Sequence, residues 1–128
     1  MISNVDKSVG LLRKRLKYHN LEENTIFFFL SDNGACAHIT PSPFRGTKGT
    51  LYDGGLRVPF IVSWKNKLQC NKELKGTYGM VDLLPTIAEL AGFSRDDSNK
   101  FLNNNLKNTI KQPIDGNSIS TSLKNNNY

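Results

Sequence analysis

Ile2, Val5, Val9, Leu12 and Leu16 recur at spacings of three and four along the chain, the repeat that lines one side of an α-helix with apolar groups. The pattern predicts a helix over residues 2–18, with Asn20 in place to stop it. After a polar turn through Glu22 and Asn24 comes an unbroken apolar run, Thr25-Ile26-Phe27-Phe28-Phe29-Leu30. A short run of this kind, rich in β-formers, predicts a strand buried on both faces, as in parallel sheets covered by helices. A second run, Pro59-Phe60-Ile61-Val62-Ser63-Trp64, predicts another strand, with Pro59 tolerated at its first position. Asp82 is placed to cap a helix through Leu83, Leu84, Ile87, Leu90 and Ala91, with Pro85 in its first turn and Gly92 as its stop. Helix followed by buried strand is the second half of a βαβ unit. The expected class is therefore α/β, with helices packed on a mainly parallel sheet and the first half of that unit missing.

Beyond Phe93 the pattern fades into Asn, Lys and Ser with scattered Phe101, Leu102, Leu106 and Ile110. This divides the chain into a patterned portion, residues 1–93, and a tail, residues 94–128, expected to be loosely held because it has too little apolar surface to order itself. The 128 residues suit one domain, and a hydrophobic fraction of 38% with a charged fraction of 22% suits a globular one. With the apolar residues concentrated early, the core is expected early too.

The formal charge of +6 could draw a polyanion, but the basic residues are dispersed. The one cluster, Arg13, Lys14, Arg15 and Lys17, falls on the polar side of the first helix, where charge is needed anyway. No nucleic-acid motif accompanies the charge, and the aromatics sit in core strands, so neither nucleic acid nor a membrane is an expected partner. Cys36 and Cys70 form no C-x-x-C pattern and cannot make a disulfide framework. No export signal and no apolar run long enough to span a bilayer is present, and the localisation stays open.

The candidate chemistry begins where the first strand ends. Ser31-Asp32-Asn33-Gly34 emerges at its carboxyl end, the edge where open α/β sheets hold ligands. A carboxylate beside an amide carbonyl offers hard oxygen donors suited to Ca²⁺ or Mg²⁺, although Asp-Asn-Gly is also ordinary turn chemistry. Next comes Pro43-Phe44-Arg45-Gly46-Thr47-Lys48-Gly49-Thr50-Leu51-Tyr52-Asp53-Gly54-Gly55-Leu56-Arg57-Val58-Pro59, which sets Arg45, Lys48 and Arg57 among glycines. Glycines let backbone N–H groups approach an oxyanion while the cations neutralise it, so the loop suits sulfate or phosphate. It is not a P-loop, because the G-x-x-x-x-G-K-[ST] spacing is absent.

Taken together, strand, Ser-Asp-Asn-Gly, the P-x-R-G-x-K-G-T-L-Y-[ED]-G-G-x-R-V-P loop and a strand ending in Trp64 resemble the metal-ligand and lysine segment of the sulfatase family. Val81-Asp82-Leu83-Leu84-Pro85-Thr86-Ile87 is similar to that family's D-L-x-P-T helix, and Asp115-Gly116-Asn117-Ser118 to its D-G-x-S turn. The resemblance implies a partial alkaline-phosphatase-like fold. It implies that Asp32 and Asn33 are two ligands of a calcium ion, ahead of magnesium, and that Lys48 is a catalytic contact to the sulfate group. Arg45 and Arg57 either join the anion site or pair with a carboxylate such as Asp53 to pin the loop. His38 is either a general acid or substrate contact, or a plain polar loop residue.

In that family a formylglycine, made from Cys or Ser in a C/S-x-P/A-x-R motif, attacks sulfur. Neither Cys36-Ala37-His38 nor Cys70-Asn71-Lys72 has Pro or Ala two places on. The resemblance therefore implies a fragment of a sulfuric ester hydrolase, inactive alone, whose nucleophile and remaining metal ligands lie in a missing N-terminal part of the domain. Its substrate would be a sulfated small molecule or polysaccharide, and its relatives are often secreted, periplasmic or lysosomal. The rival readings are a phosphoester or phosphonate hydrolase of the same superfamily and a noncatalytic anion-binding module.

Overall fold

A computed structural model of the chain describes residues 2–36, 43–94 and 114–125. The chain divides into two units, Met1–Lys67 and Leu68–Tyr128.

The first unit opens with helix α1, Ile2–Tyr18, as the three-and-four spacing predicts. It ends because Asn20 adopts the left-handed conformation, φ 57°. Asn20 N–H then donates to the Lys17 carbonyl at 3.1 Å and Leu21 N–H to the Leu16 carbonyl at 2.8 Å. These two bonds satisfy carbonyls that the helix would otherwise leave unpaired. The apolar stripe of α1 stays exposed, with Ile2, Val5, Val9 and Leu12 all open to solvent. A short 3-10 turn, Glu22–Asn24, leads into strand β1, Ile26–Leu30. Around this turn Glu22 accepts from Arg13 at 2.9 Å, Lys65 lies 3.0 Å from Glu23, and the Trp64 indole N–H donates to the Glu23 carbonyl at 3.0 Å. The Arg13 hydrogen bond holds the Glu22 carboxyl below its ordinary pKa.

After a single-turn helix α2, Asp53–Leu56, the chain enters strand β2, Phe60–Trp64. The two strands pair antiparallel, from Ile26 opposite Trp64 to Leu30 opposite Phe60. This corrects the expectation for the two strands: they do not run parallel, and β1 is not buried on both faces. One face carries Ile26, Phe28 and Leu30 with Phe60, Val62 and Trp64, all half-buried, and the Phe28 and Phe60 rings stack at 6.2 Å. The other leaves the opposed pair Phe29 and Ile61 46% and 58% exposed. Phe27 to Phe29 reads as a both-faces run in sequence, but burial depends on what covers each face, and sequence alone does not carry that.

The second unit is built on helix α3, Leu83–Leu90, preceded by a 3-10 turn at Met80–Asp82. Gly92 stops it at φ 91°, with Phe93 N–H donating to the Ala88 carbonyl at 2.9 Å. Asp82 stands at the N-cap position, as expected, yet its side chain makes no capping bond to the helix. Its carboxylate accepts instead from Gly79 N–H and Asn117 N–H, both at 2.8 Å. Thr86 is fully buried, and its hydroxyl donates to the Asp82 carbonyl at 2.5 Å and accepts from Ile119 N–H at 3.0 Å.

These bonds fix residues 114–125 against α3, ending in the short helix α4, Ser120–Lys124. Ile114, Ile119 and Leu123 are the buried hydrophobic side chains among the described residues. The core therefore sits late in sequence, not early, and this part of the tail is held firmly. The D-G-x-S turn is its anchor; the tail residues 95–113, with Phe101, Leu102, Leu106 and Ile110, lie outside the described residues. No helix among the described residues is long and apolar enough to cross a membrane.

The backbone N–H bonds from Gly79 and then Asn117 hold Asp82 below its ordinary pKa. A depressed carboxyl pKa stabilises the fold above the unfolded value, and the gain disappears as pH falls through the folded value. Asp82→Ala is expected to remove about 2 kcal/mol from the unfolding of this unit at neutral pH, because two backbone donors lose a charged acceptor. Urea unfolding at pH 7 and again below the ordinary carboxylate range checks this. The difference between wild type and variant should shrink at acid pH.

Candidate functional site

Antiparallel pairing has a direct consequence for the site. The carboxyl end of β1 lies beside the start of β2, Leu30 opposite Phe60, so Asp32 and Asn33 leave the sheet at the same edge where the glycine-rich loop enters it. Ser31 helps shape the exit, its hydroxyl donating to the Asn33 carbonyl at 2.9 Å.

Within this unit the fully buried positions among the described residues are Gly34, Gly54 and Gly55. They are the places where three pieces of backbone touch. Gly34 N–H donates to the Gly55 carbonyl at 3.0 Å, and Gly54 N–H to the Arg45 carbonyl at 2.8 Å. A methyl group on Gly34 would meet the Gly54 carbonyl oxygen and lie 2.7 Å from Gly55 Cα. One on Gly54 would lie 2.8 Å from the Arg45 carbonyl oxygen, and one on Gly55 would lie 2.7 Å from that of Thr47. Only hydrogen fits at each contact. Sequence reasoning assigned the glycines to anion approach, and the structure shows these three joining the Asp32 segment to the Lys48 loop.

Lys48 is tied to the same place from its own side: its N–H donates to the Ala35 carbonyl at 2.9 Å. Its side chain is exposed, as is that of Asp32, while Asn33 is half-buried. Among the described residues none of these three side chains makes a hydrogen bond or ion pair. Three chemistry-bearing groups are thus held on one closely packed loop assembly with their functional atoms uncommitted.

The flanking cations are committed. The Arg45 guanidinium stacks 4.0 Å above the Tyr52 ring, and that of Arg57 lies 4.6 Å from the Phe44 ring centroid. Arg57 also stands 3.7 Å from the Asp53 carboxylate, one turn away along α2, with 59% and 63% of the two side chains exposed. The loop-pinning alternative is therefore present for Arg57, as a weak surface pair. His38 lies outside the described residues. Cys36 and Cys70 are exposed free thiols. No group of three or more His, Cys, Asp or Glu side chains converges among the described residues.

The model of the sulfatase family matches residues 1–93. Among curated proteins, N-acetylgalactosamine-6-sulfatase of Canis lupus familiaris is 32% identical over 99 residues, covering 73% of this chain and 19% of that protein. A sulfatase of Formosa agariphila is 32% identical over 130 residues, covering 94% of this chain and 22% of its own length. Among solved structures, the crystal structure of Ps i-CgsB in complex with k-i-k-neocarrahexaose superposes with a TM-score of 0.76 at 30% identity, over 95% of this chain and 25% of that one. The chain thus spans about a fifth to a quarter of these three proteins, and its helices and small sheet belong to the α/β fold of the sulfatase structures.

Proposed function

The chain belongs to the sulfatase family, and from that premise we propose that residues 31–57 supply the cation-binding and sulfate-binding part of a sulfuric ester hydrolase. The observation that carries this reading is the pair of backbone bonds, Gly34 to Gly55 and Lys48 to Ala35, that tie the Lys48 loop to the Asp32–Asn33 segment, with none of the three side chains bonded among the described residues. Since the chain spans about a fifth of its curated relatives and contains no C/S-x-P/A-x-R motif, the nucleophile is assigned to sequence outside these 128 residues. Residues 1–93 would form the C-terminal portion of the catalytic domain, and residues 94–128 an Asn/Lys-rich tail that includes the D-G-x-S turn.

Asp32 and Asn33 fit calcium by chemistry: they offer hard oxygens, exposed or half-buried, with no side-chain partner among the described residues. In number they fit only as part of a shell, since calcium takes about six to eight oxygens. The cation, when bound, supplies Lewis-acid polarisation of the sulfate oxygens. Lys48 donates hydrogen bonds to a sulfate oxygen and offsets the charge that builds on the ester as its S–O bond breaks. Stacking on Tyr52 occupies one face of the Arg45 guanidinium and leaves its N–H edge for a further anion contact, whereas that of Arg57 faces the Asp53 carboxylate. The substrate class is a sulfate ester, and the names of the canine relative and of the neocarrahexaose complex support a sulfated saccharide within it.

Calorimetric titration of the chain with Ca²⁺ tests the cation half of this reading. Two ligands predict weak binding, with a Kd of about 10⁻⁴–10⁻³ M or higher, that disappears in Asp32→Ala. Binding that persists in Asp32→Ala would place the cation elsewhere.

A further inference from the structure

We infer that Thr50 is the positioning residue for Lys48, an inference that rests on the proposed sulfate contact of that lysine. Thr47–Thr50 is a tight turn: Thr50 N–H donates to the Thr47 carbonyl at 3.0 Å, and Gly49 in the third position has φ 88°, as a type II turn requires. Lys48 occupies the second position, at the corner.

One backbone bond holds such a turn weakly against water, and the Thr50 hydroxyl adds two more. It donates to the Thr47 carbonyl at 2.7 Å and accepts from Thr47 N–H at 3.1 Å. The hydroxyl is also enclosed, since a methyl group built on Gly46 would fall 2.5 Å from its oxygen and one on Gly55 would fall 3.0 Å from it. Gly55 in turn bonds Gly34. The hydroxyl therefore closes the turn from within and packs it on the glycine that carries the Asp32 segment, while Lys48 N–H ties the corner to Ala35. Thr50 acts through Lys48 and does not touch the anion.

The test uses the full 128-residue chain titrated calorimetrically with inorganic sulfate, with Lys48→Ala as reference. Thr50→Val keeps the shape and removes the hydroxyl, and is expected to weaken sulfate binding about fivefold. Thr50→Ser restores the hydroxyl and should bind within about twofold of wild type. Hydrogen exchange separates positioning from general destabilisation: Thr50→Val should speed exchange at the Lys48 N–H and leave the Gly34 N–H protected, whereas a merely structural role exposes both. Gly49→Ala strains the same turn at its positive φ, with open space around the added methyl, and should weaken sulfate binding likewise. It carries the test if Thr50→Val fails to fold. Lys48-dependent binding that is indifferent to these variants overturns the inference alone. Wild-type binding no different from Lys48→Ala overturns the sulfate reading of Lys48, and the inference falls with it.

Discussion

Gly34→Ala is expected to destabilise the first unit by roughly 3 kcal/mol, the upper end of what overpacking costs. The size follows from what the methyl group would strike. Its neighbours are the Gly54 carbonyl oxygen and the Gly55 Cα and carbonyl carbon, the latter two at 2.7 Å, all backbone, so no side chain can swing aside. Relieving the clash means parting the two strands of loop, which also breaks the Gly34 to Gly55 bond and leaves a buried carbonyl without its donor. Asp32 and Asn33 then move away from the Lys48 loop, so Ca²⁺ and sulfate binding should weaken together. Denaturant unfolding followed by Trp64 fluorescence measures the first effect, and the two titrations measure the second. A variant within about 0.5 kcal/mol of wild type would show that the glycine contact does not organise the site.

With Lys48 in its proposed sulfate contact, Lys48→Ala is expected to have the second large effect, on turnover by the protein that contains this chain. Removing one preorganised donor from a site of developing negative charge costs about 10²–10³ in kcat. The same substitution should leave stability nearly unchanged, because the Lys48 side chain is exposed and makes no hydrogen bond or ion pair among the described residues. That combination, a large catalytic loss on an intact fold, separates Lys48 from Gly34, whose replacement damages both. Sulfate release measured alongside a urea melt distinguishes the two patterns. A KM effect with kcat unchanged would assign Lys48 to ground-state binding instead.

Elements defined by local periodicity were legible in the sequence. The spacing of Ile2, Val5, Val9, Leu12 and Leu16 with Asn20 as the stop corresponds to α1 at Ile2–Tyr18, and Gly92 ends α3 as a glycine past the last apolar residue should. Both depend on residues within a few positions of one another. Strand direction was not legible, because an apolar run such as Phe27-Phe28-Phe29 is the same in either orientation. The ordering of residues 114–125, within a tail expected to be loosely held, was hidden for a similar reason. Counting apolar residues after Phe93 missed that Asp82 and Thr86 reach residues 35 and 33 places on to hold Asn117 and Ile119, and such pairing has no local sign.

The proposal for Asp32, Asn33 and Lys48 rests in sequence on residue type and on their place after a strand. That they share one loop assembly rests on which glycine meets which backbone, and composition does not carry that. Thr50 was missed altogether, since a threonine in a glycine-rich loop has no sequence mark of its hydroxyl bonding back to Thr47. The same limit applied to Asp82, which sequence placed correctly at a helix start but assigned to the wrong partners.

The role proposed for these residues is the hydrolysis of a sulfate ester. Its most direct test is the release of inorganic sulfate from a sulfated oligosaccharide by the native protein containing this chain, compared with release of phosphate from the matching phosphoester. The assay is run with and without a calcium chelator and repeated with Lys48→Ala. The expected result is sulfate release that chelation abolishes and that Lys48→Ala lowers by about 10²-fold or more. Sulfate release indifferent to both, or phosphate released in preference to sulfate, would contradict it.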